Sequence, residues 1–99
     1  MQPIRFLGLG RTHILGRAVP VATSFPSRLL GLALLPRERA GEGLLIPGCH
    51  CVHTFGMRFP LDLLFLDGRG RVVDLRRDVP AGRIARCAAA VAVLELPSP

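Results

Sequence analysis

The chain contains no tryptophan, no tyrosine and no lysine, and only five phenylalanines among its 99 residues. Without Trp or Tyr, the interior has to be filled by Val, Leu, Ile and Ala. A nucleobase-stacking platform would need phenylalanines that mostly sit in apolar runs. The absence of Lys makes all 13 basic residues arginine, and the formal net charge is +6. Arginine's planar fork donates in pairs and suits carboxylates and phosphates, which favours an acidic partner in principle. The arginines are scattered from Arg5 to Arg86 and form no single run, the pattern of a solvated basic surface, so nucleic acid is not expected as a partner. No apolar segment approaches membrane-spanning length, and Gly, Arg and His interrupt the amino-terminal stretch MQPIRFLGLGRTHILGR, so no membrane association is expected and the default location is cytoplasmic. Nor is there an even set of cysteines. Cys49, Cys51 and Cys87 cannot all pair within one chain, and a bridge across the single residue between the first two would be strained, so reduced thiols are expected.

What is present is enough for one small domain spanning residues 1–99. Hydrophobic residues make up 49% of the chain, more than a disordered segment carries. Ile4 to Leu9 reads as a weak first strand, Arg11 to Gly16 as a turn, and Arg17 to Ala22 as a short strand that Pro20 confines to an edge or to its own end. Ser24 and Pro26 mark a helix start, because Ser caps exposed amides and Pro fits the first turn. Leu29, Leu30, Leu32 and Ala33 supply that helix with an apolar face, Pro36 stops it, and Gly31 within it suggests either close packing against a neighbour or a tolerated glycine. Leu44 to Ile46 reads as a buried strand. Leu61 to Leu66 and Arg71 to Arg76 flank Asp67-Gly68-Arg69-Gly70, a strong hairpin turn. Val72, Val73 and Leu75 are expected to face inward with Asp74 outward. Ala88 to Leu96 could be helix, but its Val alternation and Pro97 favour a strand.

The chemistry concentrates between Cys49 and Asp62. Cys49, Cys51 and His53 share one face of a strand, and Cys and His are ligands for zinc or copper. A straight strand separates Cys49 from His53 by roughly 13 Å, whereas the two side chains reach about 11 to 12 Å across a metal. All three could bind one ion only if the chain bends. His53 and Asp62 form the natural acid/base pair, since a carboxylate fixes the tautomer of an imidazole and raises its basicity. The same pair could instead brace a loop onto the sheet. A thiolate from Cys49 or Cys51 beside His53 lacks any marked oxyanion hole, and no glycine-rich phosphate loop accompanies Gly8-Leu9-Gly10-Arg11.

These residues also match a known pattern. Arg28-Leu29-Leu30-Gly31-Leu32, Gly43-Leu44-Leu45-Ile46, the segment from Val52 to Asp62, Phe65-Leu66-Asp67, Val72-Val73 and Val93-Leu94-Glu95-Leu96-Pro97 resemble, in order, the signature of domain of unknown function family 192, over about residues 17–97. The resemblance implies an α+β fold: a mainly antiparallel, partly barrel-like β-sheet with one or two short helices. Its signature residues fall on Arg28, Gly31, His53, Thr54, Met57, Pro60 and Asp62. It implies no cofactor and leaves the biochemical role open. The family continues beyond L-E-L-P with a glycine, a short helix and a last strand, so this chain is expected to be C-terminally truncated, with an open sheet edge that a homodimer would cover.

Three readings follow. The first is a binding or accessory domain, with a polar pocket of Arg28, His53, Thr54, Met57 and Asp62 for a small anionic ligand. The second is a small enzyme with His53 as general base and Asp62 as its orienter. The third is a metal binder through Cys49, Cys51 and His53.

Overall fold

A computed structural model describes residues 3–99. Among the described residues, eight strands and one short helix form a small, mostly antiparallel fold that is α+β or mostly β. The chain opens with a 3-10 turn at Ile4–Phe6 in place of the expected strand. Only Phe6 of that turn is buried. β1 (Arg11–Ile14) and β2 (Arg17–Pro20) then pair as a hairpin, so the segment expected as a turn is mostly strand. Its two-residue loop holds Leu15 at φ 50 and Gly16 at φ 78, and positive φ at both positions suits the twist of the flanking strands.

The helix α1 (Phe25–Leu30) starts where Ser24 accepts a hydrogen bond from the Ser27 amide. It ends earlier than the expected stop at Pro36, because Gly31 turns the chain at φ 52, ψ −125. Leu32 and Ala33, past the helix, are buried, whereas Leu29 is exposed. β3 (Leu44–Pro47), β5 (Leu61–Leu66), β6 (Val72–Val79) and β8 (Ala92–Pro97) make the main sheet in the order β3-β8-β5-β6. The expected β5–β6 hairpin is present, with Leu64 opposite Leu75. Asp67 closes its turn by accepting from the Arg69 and Arg71 amides at 2.8 and 3.0 Å. β8 is a strand, as its alternation suggests, and lies between β3 and β5.

The sheet does not close into a barrel; β3 and β6 are its outer strands. One face, with Leu44, Leu63, Phe65 and Val93, packs against Leu32 and Ala33. The other, with Leu66, Leu94 and Leu96, packs against Val19 of the β1–β2 hairpin. Because both faces of β5 and β8 are covered, these strands read as nearly continuous apolar runs. β6 is different. Val72, Val73 and Leu75 are 42–43% exposed, against the expectation that they face inward, because an outer strand has no neighbour on one side. β4 (Cys51–His53) and β7 (Ile84–Arg86) form a separate pair, with His53 opposite Ile84. Among the described residues, no helix is long and apolar enough to cross a membrane.

Candidate functional site

The residue that organises the site is Glu95, in the middle of the central strand β8. On a period of two it shares a sheet face with Val93, and its cross-strand neighbours are Leu44 of β3 and Leu63 of β5. A carboxyl in that setting is largely desolvated. Glu95 is 3% exposed, and burial pushes its pKa up to about 7, although the Leu32 amide donates to it and pulls the other way. Its Oε1 has no hydrogen-bond partner and is the sole buried side-chain N or O atom among the described residues in that condition. Leaving such an oxygen unmet costs about 1–3 kcal/mol. None of the arginines lies within ion-pair distance; the ion pairs among the described residues are Arg71–Asp67 and Arg76–Asp74.

Glu95 forms the floor of a cleft of about 60 Å³, bounded by the end of α1 on one side and by the segment from Cys49 to His53 on the other. This is room for more than one water molecule or for a small functional group. Gly31 is the reason the cleft reaches the carboxyl. A Cβ at that position would sit 2.7 Å from Glu95 Oε1, and its φ and ψ are ones that side-chain-bearing residues rarely adopt. Of the two readings of this glycine, close approach to a neighbour is therefore the one realised. Arg5 holds the turn from below, donating to Gly31 O at 3.1 Å and Ala33 O at 2.7 Å.

His53 bridges the two walls. A carbonyl can only accept, so the 3.1 Å contact between Nε2 and Leu29 O places the proton on Nε2. Nδ1 then accepts from the Phe55 amide, also at 3.1 Å. Both ring nitrogens are engaged with backbone, and the imidazole stacks on Phe55 at 5.5 Å between centroids.

The profile of a protein family described as uncharacterized ACR, DUF192, matches residues 10–98. The chain belongs to DUF192. Two solved structures share the DUF192 chain's fold. One is from Sinorhizobium meliloti 1021 and is described as a candidate transcription regulator; the TM-score is 0.71 at 22% identity, covering 89% of this chain and 78% of that one. The other is a protein of unknown function from Novosphingobium aromaticivorans DSM 12444, with TM-score 0.65 at 20% identity, covering 82% of this chain and 64% of that one. At these identities the likeness concerns the fold. No curated protein matches.

The DUF192 signature residues do not assemble as one pocket. Gly31, His53 and Arg28 border the cleft, but Asp62 does not. Asp62 accepts from Ser98 Oγ at 2.7 Å and from the Asp78 amide at 3.0 Å. It thereby ties the chain's end to an irregular stretch of β6 where Asp78 stands at φ 52. The expected His53–Asp62 couple does not form, because β4 and β5 belong to different sheets and each side chain is held by its own partners. Thr54 is fully buried; its hydroxyl donates to Pro80 O at 2.7 Å and accepts from the Arg83 amide at 2.8 Å, which fastens β4 to the loop before β7. Met57 is core. Arg28 donates to the carbonyls of Pro47, Ala22 and Gly48, anchoring α1 to the turn after β3. Among the described residues no three His, Cys, Asp or Glu side chains converge, so Cys49, Cys51 and His53 do not form the three-ligand metal site considered from sequence. Cys49 instead points its thiol at Cys51 O, at 3.2 Å.

Glu95 escaped the sequence reading, although the signal was there: one acid inside the otherwise apolar run Ala88–Leu96.

Proposed function

We propose that this DUF192 chain is a small binding domain whose cleft receives the hydrogen-bond-donating end of a ligand, with Glu95 as the receiving group. The supporting observation is the buried, unpartnered Oε1 at the floor of an open cleft. Native proteins satisfy nearly all buried polar atoms, so an orphan facing a cleft points to a partner supplied from outside. In place of the anionic ligand expected for a pocket of Arg28, His53, Thr54, Met57 and Asp62, this reading takes the ligand to be a donor. The guanidinium is held by backbone carbonyls, whereas the acceptor is open.

The test is an amide-resolved NMR titration of the full chain with acetamide, guanidinium and methylammonium. At least one of them should shift Gly31, Leu32, Cys49 and His53 saturably in the native chain and much less in Glu95→Gln. If none of the three moves those amides, the cleft is not a binding site.

A further inference from the structure

We infer that the ligand is a primary alkylammonium ion: a compact cationic head that enters the cleft against Glu95, carried on an apolar body that lies over the cleft mouth. This inference rests on the binding role proposed above and names its ligand.

A buried carboxylate needs a counter-charge or several donors, and Glu95 has the Leu32 amide alone. A chain with 13 basic residues leaves it without one at ion-pair distance, so a counter-charge for the ionised form would have to come from outside the chain. The donors of the cleft walls are already engaged. His53 Nε2 donates to Leu29 O, Cys49 Sγ to Cys51 O, and Arg28 to the Pro47 carbonyl. An incoming anion would meet an acid and occupied donors, whereas an incoming cation meets the open acceptor. Size then selects among cations. One unmet oxygen in about 60 Å³ suits an ammonium, a point charge with a narrow stem. A planar alkylguanidinium brings five N–H donors in a fixed fork and would leave four of them unmet by that oxygen, against two of the three on an ammonium.

Leu29 and His53 line the cleft, and further exposed apolar side chains adjoin each of them. Phe25 and Leu29 lie four residues apart on one face of α1. Phe55 stacks on His53, and Ile84 sits opposite His53 across the β4–β7 pair. The side chains of Phe25, Leu29, Phe55 and Ile84 are exposed, Phe25 by 77% and Ile84 by 66%. Apolar side chains beside these two wall residues favour an alkyl or apolar body over a polar one, and phenylalanine faces attract a cation on approach.

The experiment titrates the full chain with n-butylammonium, n-butanol and butyrate at pH 8, following the amides of Gly31, Leu32, Cys49 and His53. The butylammonium ion should saturate these shifts with an affinity at least tenfold above that of the alcohol or the acid. Glu95→Gln should reduce it at least tenfold, and Phe55→Ser should weaken it while leaving methylammonium unaffected. Should the Gln variant not fold, the native chain at pH 5 serves instead. Glu95 is then protonated while the amine, with a pKa of about 10.4, stays charged, so affinity should again fall at least tenfold. Acetyl-Leu-Lys-Leu-amide binding ten times more tightly than butylammonium would assign the ammonium to a protein lysine; equal or weaker binding would assign it to a free amine. Butanol or butyrate binding as well as butylammonium would overturn the ammonium class and leave the cleft a site for something else. No shift with any probe would overturn both.

Discussion

Replacing Glu95 by glutamine keeps the shape of the side chain and removes its titration, so stability against pH reports directly on how costly this carboxyl is. The folded-state pKa is raised from an ordinary 4.5 to about 7, with burial as the first cause. The folded chain therefore holds the proton more tightly than the unfolded chain. The stability contributed by this group is fully present below pH 4.5, is lost as pH rises towards 7, and stays lost above it. At 1.36 kcal/mol for each tenfold change in proton affinity, the loss amounts to about 3 kcal/mol. Glutamine carries no such loss. The stability of Glu95→Gln relative to the native chain should thus grow by about 3 kcal/mol between pH 4 and pH 8, while every other titrating group contributes equally to both proteins and cancels. With no Trp or Tyr to report fluorescence, the assay is urea unfolding followed by far-UV circular dichroism at several pH values. Two stability profiles that stay parallel within about 0.5 kcal/mol would mean that Glu95 is as well solvated folded as unfolded, and the reasoning about the cleft would fail with it.

Other perturbations test the frame around the site. Gly43 stands at φ 122, and a Cβ there would meet Glu95 O at 2.5 Å; because backbone cannot step aside as a side chain can, Gly43→Ala should destabilise by about 3 kcal/mol in urea unfolding. Thr54→Val should cost about 2 kcal/mol by stranding the Pro80 carbonyl and weakening the tie to the Arg83 amide, with faster hydrogen exchange at Arg83 as the local readout. Asp62→Ala should cost about 2 kcal/mol and speed exchange at the Asp78 amide, while leaving the cleft amides of Gly31 and Cys49 unshifted.

How legible each element was depended on whether its cause is local. Asp67 to Gly70 specifies its own turn through Asp67's bonds to two following amides, so the β5–β6 hairpin could be read directly. Ser24 likewise caps α1 with its own hydroxyl. The β1 strand, Arg-Thr-His-Ile, carries no apolar run, and its pairing rests on a turn with a leucine in the left-handed region, which local preferences disfavour. The exposure of Val72, Val73 and Leu75 follows from β6 being an outer strand, and nothing within those residues records that. His53 and Asp62 are close in sequence, but the route through Phe55 to Pro60 carries them to different sheets. The apolar run around Glu95 marked the residue, but that its strand is flanked on both edges, by β3 and β5, is a matter of topology.

The contrast between the two buried acids carries the functional argument furthest. Asp62 is 8% exposed and Glu95 is 3% exposed, and both lie on strands of the same sheet. Around Asp62 the fold has placed a hydroxyl and an amide that donate to it, the arrangement of a structural brace. Around Glu95 a single amide donates, no arginine comes within ion-pair distance, and the missing side chain of Gly31 leaves space beside the carboxyl. A loss of about 3 kcal/mol above pH 7 is a large share of the 5–15 kcal/mol that holds a domain together. Leucine at position 95 would continue the apolar strand without it. A carboxyl whose purpose was to stabilise would have been satisfied as Asp62 is. One that stays unsatisfied beside an opening, with Arg5 holding that opening in shape, has the properties of a group awaiting a donor.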